Sequence, residues 1–339
     1  MSKATPHSFT WHFLLALLPL AAASISPLQL QAQAPAAPPP AEAAAPAAAP
    51  PPPPYSLPWQ LRPVVAANVV RSDTAIAFYE NPMSGESGST VASMLLGSYK
   101  VTPDFAPLVR LGIVSNSPPE GAGESALNFI NPVVGGTYAF KLSPDFKLAL
   151  FLGLTIPVGG GGGDMPDPAN AAANGAGISA RSAMDNAMFA VNYFTIFPGV
   201  GFAYVNHGFT AQVEMTLLQL LRVRGKDNPA NADSARTNFT AGLHVGYFFI
   251  PQLSAGAELR HQRWLSTPST IKAGGMTMRT QEMEDTLRDT STVALGIRGH
   301  IKLNDTMWLR PGIAYARALD DPMDLAKYNI VQVDVPFVF

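Results

Sequence analysis

Seven charged side chains could shape the field inside a pore: Arg110, Glu214, Glu258, Arg260, Arg298, Arg310 and Asp334. Each shares a face with polar or small residues in an apolar, alternating segment. All except Arg260 lie about five or six residues from Phe339 or from a short break carrying Pro, Gly, Asn or Asp. At ~3.3 Å rise per residue along tilted strands, such charges fall at similar depth. Glu258, Arg298, Arg310 and Asp334 occupy the last four consecutive segments and are close enough to form a network. The arrangement has two compatible uses: ion pairs that fill a narrow interior, and a constriction that screens permeating solutes. Lys100, Lys141, Lys147 and Lys302 border the short breaks instead. They are interface anchors or an anion-attracting rim.

Catalytic chemistry finds less support. No GxSxG, HExxH or glycine-rich phosphate loop is present. A serine hydrolase needs Ser, His and an orienting group together. His261 stands toward the outer end of its segment on the apolar side with no evident serine companion. His244 and His300 share the polar parity but match no serine in depth, and His207 sits in a turn. Glu282, Glu284, Asp285 and Asp289 share a long loop with Arg279 and Arg288, which reads as a solvated mixed-charge loop. Asp164 and Asp167 could touch a divalent cation, but spacing alone makes no site. No metal or cofactor is implied, and no basic tract with interleaved aromatics points to nucleic acid.

The elements that would position the charges are strands. In 238–249, Phe239, Leu243, Val245, Tyr247 and Phe249 oppose Asn238, Thr240, Gly242, His244 and Gly246. In 290–302, Val293, Leu295, Ile297 and Ile301 oppose Thr292, Gly296, Arg298, His300 and Lys302. This is the period-2 signature of a two-faced strand. Short breaks at 102–105, 143–146, 206–208, 251–252 and 304–305 alternate with long ones near 80–88, 117–127, 158–186, 222–235, 265–287 and 319–328. Short turns on one side and long loops on the other are how transmembrane barrels are built. The count gives about twelve antiparallel strands with both ends periplasmic, a transmembrane β-barrel over 61–339. Register irregularities are expected in the first strand, which contains Arg71 and Asp73, and across 188–204. Gly112, Gly135, Gly153, Gly242, Gly246, Gly256, Gly296 and Gly312 fall on the inward parity. They leave room for a water-filled bore or for close packing against an inserted segment, and the 158–186 loop is long enough to fold inward.

The sequence closes on Val331, Val333, Val335, Phe337 and Phe339, alternating with Gln332, Asp334 and Pro336. This ending resembles the closing strand of bacterial outer-membrane β-barrels, a porin-like channel class. The resemblance implies that these five residues form the signal read by the barrel-assembly machinery.

Composition agrees. The 339 residues include no cysteine, carry a net charge of −2 and are 14% charged, with a mean hydropathy of +0.13. No apolar run reaches the ~18 residues of a spanning helix, and only helices and closed sheets satisfy their backbone in lipid. Lys3 and His7 precede an apolar stretch from Phe13 to Ala23, which reads as a signal peptide within 1–34, cut after Ala23 or Ala34. Residues 35–60 are Ala/Pro-rich and form a semi-rigid periplasmic linker, with binding to cell wall or a periplasmic partner, or entry into the pore, as alternatives. The expected function is passive or weakly selective diffusion of small solutes across the outer membrane of a Gram-negative bacterium, with no catalysis and no cofactor. The partners are outer-membrane lipid, lipopolysaccharide, the assembly machinery and the solutes. Transport of apolar small molecules, or a structural or adhesive barrel with a plugged lumen, are the alternatives. Deleting Phe339 should reduce membrane insertion while barely changing the stability of barrels that do fold. Normal membrane levels of the truncated chain would refute the signal.

Overall fold

The computed structural model describes residues 55–228, 233–269 and 287–339. The leader, most of the Ala/Pro stretch and the 279–285 charges lie outside them. β1 spans Val69–Glu80, β2 Ser87–Ser98, β3 Phe105–Ser117, β4 Ala126–Phe129, β5 Val133–Lys141 and β6 Phe146–Thr155. Helices α1 (Pro168–Ala180) and α2 (Asn186–Phe189) follow, then β7 (Tyr193–Asn206), β8 (Phe209–Arg222), β9 (Ala235–Ile250) and β10 (Leu253–Trp264). β11 (Asp289–Gly299), β12 (Ile301–Lys302), β13 (Trp308–Leu309), β14 (Gly312–Ala318) and β15 (Asn329–Val338) complete the chain.

Each strand hydrogen-bonds antiparallel to its neighbours, and β1 pairs with β15 over ten residues, from Val69↔Val338 to Phe78↔Asn329. The sheet therefore has no free edge. β4 with β5, β11 with β12 and β13 with β14 each make one interrupted strand, so the wall is a closed barrel of twelve antiparallel strands. Closure satisfies every ladder without water, which is what a bilayer demands. Both ends of the wall, Val69 and Val338, lie level with Ser98 at the end that carries the short turns.

Alternation sorts the two faces. Leu95, Leu111, Leu150, Leu152, Met215, Leu259, Leu295 and Ile313 are exposed on the outside, whereas Thr90, Gln212, Glu214, Glu258, Arg260, Arg298 and Asp334 are buried inside. Near the short-turn end, outward aromatics pair as Tyr138–Phe140, Phe146–Phe202, Tyr247–Phe249 and Phe337–Phe339, with centroids 4.6–5.8 Å apart. Such a girdle marks a membrane interface.

Three features differ from the sequence reading. The wall opens at Val69 rather than Leu61, because Pro58 and Pro63 lack the N–H that a ladder position needs. β1 pairs without a break on both sides, since Arg71 and Asp73 both keep the inward parity. In 188–204, Met188 and Phe189 belong to α2, and β7 keeps one register on β8 from Tyr193 to Asn206, with only the Phe197–Pro198 rungs missing. β10 instead shifts register against β9 at Leu253/Ser254. Leu295 is 63% exposed at the middle of β11. Leu295→Arg should destabilise the barrel by ~2–4 kcal/mol in lipid vesicles, the cost of a midplane charge facing hydrocarbon. An unchanged denaturant midpoint would mean that this face does not meet lipid.

Candidate functional site: a lumen closed by two inserts

A buried carboxylate needs cations or hydrogen-bond donors around it, and the lumen holds several. Asp73 on β1 and Asp334 on β15 stand directly opposite each other across the closing seam. Their repulsion is offset from three sides. Arg71 Nε donates to Asp334 Oδ1 at 2.8 Å and Arg298 Nη2 to Asp334 Oδ2 at 2.5 Å. Arg181 grips Asp73 through two bonds of 2.7 Å. Further along the wall, Arg260 Nε donates to Glu258 Oε2 at 2.9 Å and its Nη2 to Gln332 at 2.6 Å.

Arg181 belongs to the first insert, the connection between β6 and β7. Asp167 caps α1 by accepting from Asn170 N at 2.8 Å, and Pro168 occupies the first turn, where its missing N–H costs nothing. Gly177 lies so close to Phe189 that a Cβ there would stand 2.2 Å from the ring. After Arg181 the chain reverses through Ser182 and Ala183, both at positive φ (52° and 55°). This brings Asp185 back to Arg181 Nε at 2.8 Å, and Arg110 on β3 forks onto the same carboxylate. Ser182 accepts from Arg260 at 3.2 Å, and Asn186 reaches Gln262 at 3.1 Å. Burial alone would raise the Asp185 pKa, but Arg110 and Arg181 outweigh it and hold the carboxyl well below the usual carboxylate range. The docking energy carried by this depressed group is fully present above about pH 4 and is lost only as pH falls through its lowered value.

The second insert is Tyr55–Asn68, which enters from the short-turn end, turns inside the lumen and returns to β1. Ser56 N donates to Thr210 Oγ1 at 3.0 Å. Trp59 and Gln60 donate backbone N–H groups to Glu258, and Arg62 donates its backbone N–H and its guanidinium to Glu214. Arg71 donates to the carbonyls of Pro58 and Trp59, and Gln212 Nε2 to that of Arg62 at 2.7 Å. Val64 N reaches back to the Tyr55 hydroxyl at 3.1 Å and closes the turn. Inward glycines make the bed for this plug. A Cβ on Gly296 or Gly312 would strike the Trp59 ring at 2.5 Å, one on Gly242 the Leu61 side chain at 2.3 Å, and one on Gly246 Ser56 Oγ at 2.1 Å. Of the two uses open to these glycines, the described conformation has the packed one.

Between the inserts remains a cavity of about 50 Å³, bounded by Gln60, Arg62, Arg110 and Asp185 and by Leu96, Phe151, Met188, Phe197 and Leu218. That is room for a few waters. Among the described residues, neither amide atom of Gln60 has a hydrogen-bond partner, and both are buried.

The seven charges of the sequence reading do not form one even ring. Glu258, Arg260, Arg298 and Asp334 are buried in the network, Glu214 faces the plug, and Arg110 faces the loop. Arg310 lies in the break between β13 and β14, 5.7 Å over the Trp308 ring, and pairs with no carboxylate among the described residues. Arg62, Arg71, Asp73, Arg181 and Asp185 were not singled out as site residues. The parity of β1, and an isolated Arg and Asp in a loop of Ala, Gly and Asn, are the signals that point to the last four. Lys302 pairs with Asp305 at 2.8 Å, and Lys147 Nζ lies 5.9 Å from the Tyr55 ring centroid.

The histidines do have serine partners, contrary to the sequence reading. Strand register sets Ser291 opposite His261 at 3.0 Å, Ser254 meets His300 at 2.8 Å, and Ser56 meets His244 at 3.3 Å. Among the described residues no carboxylate bonds the second ring nitrogen of His261 or His300. Glu258 stands 3.7 Å from His244 Nδ1, too far for a hydrogen bond, and the space beside Ser56 is closed.

A closed antiparallel barrel with an apolar exterior, an aromatic girdle and a charged interior defines the class: a transmembrane β-barrel of twelve strands. No protein-family model matches the chain, and no curated protein matches it. Among solved structures it is similar to the KdgM porin in complex with disordered oligogalacturonate, at 10% identity over 80% of this chain and 99% of that one, with a TM-score of 0.45. A NanC porin structure gives 10% identity, 79% and 100% coverage and a TM-score of 0.45. For the anion-selective porin from Comamonas acidovorans the values are 9%, 80%, 98% and 0.34.

Arg181→Ala should leave two buried carboxylates short of their cation and cost ~3–5 kcal/mol of loop docking. Protease should then nick 156–192 in the folded barrel at pH 7. The wild-type loop should stay protected at pH 4, where an unpaired Asp is half protonated. Equal protection of variant and wild type would show that Arg181 does not latch the loop.

Proposed function

We propose that this protein is an outer-membrane channel for small solutes that rests closed and conducts when an insert leaves the lumen. The observation that carries this reading is the manner in which Tyr55–Asn68 is held. Its contacts to the wall are hydrogen bonds, one ion pair from Arg62 to Glu214, ring contacts at Trp59 and Phe151 and close packing in glycine notches, it is continuous with the wall only through β1, and it enters from one open end. A segment held in this way can withdraw without breaking a single strand pairing.

In this reading the short-turn end is periplasmic, and the barrel sits in the outer membrane of a Gram-negative cell amid lipid and lipopolysaccharide. Val331, Val333, Val335, Phe337 and Phe339 are read by the assembly machinery. Arg110, Glu214, Glu258, Arg260, Arg298, Arg310 and Asp334 set the field that solutes meet, which favours weak selection over a strong preference for one sign. The protein performs no catalysis. A second reading, passage of apolar small molecules, draws support from the cavity walls, where Phe151 and Leu218 are both buried beside the inserts.

Full-length protein in a planar bilayer should be silent or open rarely, and deletion of residues 55–64 should produce stable single-channel steps. A folded but silent deletion variant would overturn the channel reading and leave a structural or adhesive barrel.

A further inference from the structure

The Arg62 side chain lies in a facet of the wall shaped for a guanidinium. One of its nitrogens donates to both Glu214 and Thr216, and its Cζ stands 4.2 Å from the centroid of the Phe151 ring. Gly199 opens the space beside it, since a Cβ there would come within 2.7 Å of Thr216 Oγ1 and 3.4 Å of the guanidinium. None of these four wall residues belongs to the plug. Register alone assembles them on three adjacent strands: Phe151 on β6 is opposite Gly199 on β7, and Gly199 is opposite Thr216 on β8, two residues from Glu214.

The facet combines what a planar cation requires. A carboxylate with 5% of its side chain exposed supplies opposite charge away from bulk water. A hydroxyl fixes the in-plane direction of one N–H. An aromatic face takes the flat side, a geometry that suits guanidinium better than ammonium. The facet also opens onto the cavity between the inserts, where Leu96, Met188 and Leu218 give an apolar body bulkier than the arginine stem somewhere to extend.

We propose that Phe151, Gly199, Glu214 and Thr216 form a recognition site for a guanidinium-bearing solute with an apolar body, and that Arg62 occupies it as an internal surrogate while the plug is docked. The proposal rests on the reading of the plug as a removable closure. Solute and Arg62 exclude each other, so a solute that binds the vacated facet shifts the population toward the undocked state by its differential affinity.

The test uses the full-length chain, with phenylguanidinium as probe and phenylurea as its neutral counterpart. By calorimetry in detergent, Arg62→Ala should bind phenylguanidinium at least tenfold more tightly than wild type. Adding Glu214→Gln to that variant should remove at least tenfold, and phenylurea should not bind. In bilayers phenylguanidinium should block the current of Arg62→Ala and raise the opening frequency of wild type. Binding that ignores Glu214→Gln, or equal binding of phenylurea, would overturn the site. Equal binding of benzylammonium would overturn the guanidinium assignment. Glu214-dependent binding of the probe to Arg62→Ala, together with a folded but silent 55–64 deletion, keeps the site and sinks the channel reading. A conducting variant that binds nothing does the reverse. Should Arg62→Ala not fold, Arg62→Met keeps the stem's packing and serves in the same measurements, and the wild-type opening frequency with phenylguanidinium against phenylurea decides independently.

Discussion

Burying a carboxylate inside a barrel is tolerable only where donors or cations surround it, and this constraint organises the whole interior. Asp73 and Asp334 meet across the closing seam, Glu258 and Glu214 line the plug, and Asp185 enters on the loop. Arginines answer every one of them. Bidentate and forked contacts from Arg181, Arg110, Arg71 and Arg298 make one continuous network out of three pieces of the chain: wall, loop and plug. A buried ion pair is weak evidence of net stability, because desolvation of both partners offsets much of the attraction. Its stronger effect is on uniqueness. With these charges in place, an undocked loop leaves Asp73 without its bidentate partner, so partial arrangements are disfavoured more than the full one is favoured.

Glycine supplies the complementary half of the design. Trp59, Leu61 and Ser56 each lie over wall glycines whose Cβ positions they already fill. The wall therefore carries an imprint of the plug at single-residue resolution, while the charged groups fix its depth and direction. Two different kinds of interaction thus specify the same docked pose, and their agreement is what a well-defined resting state requires.

The barrel was legible because its signals are local and repeated. Alternation in 238–249 and 290–302, punctuated by turns such as Pro251-Gln252, needs no knowledge of distant neighbours. The lumen was legible by parity, which placed Glu214, Glu258, Arg298 and Asp334 inside. Parity does not say what each charge meets: Arg310 meets the network through its carbonyl, which accepts from Arg298, while its side chain pairs with no carboxylate among the described residues. The inserts were less visible for a physical reason. Tyr55–Asn68 has neither helical nor strand periodicity, and its backbone N–H groups are satisfied by Glu258 and Glu214, some 150 to 200 residues away in sequence. Arg71 and Asp73 looked like flaws in a first strand because their cations and acids come from β15 and from the loop. The Ser291–His261 pair depended on a cross-strand register that single-segment reading does not supply.

Arg71 ties the plug to the seam of the wall. Its side chain holds the carbonyls of Pro58 and Trp59 on one side and the carboxylate of Asp334 on the other. The earliest described segment of the chain and β15 therefore share a single guanidinium. Plug docking cannot reach its final form before β15 arrives, and that pairing spans almost the entire described chain, the kind of contact that forms slowly. Closing the wall and sealing the bore are therefore coupled: a barrel whose seam is open lacks one side of the plug's anchorage.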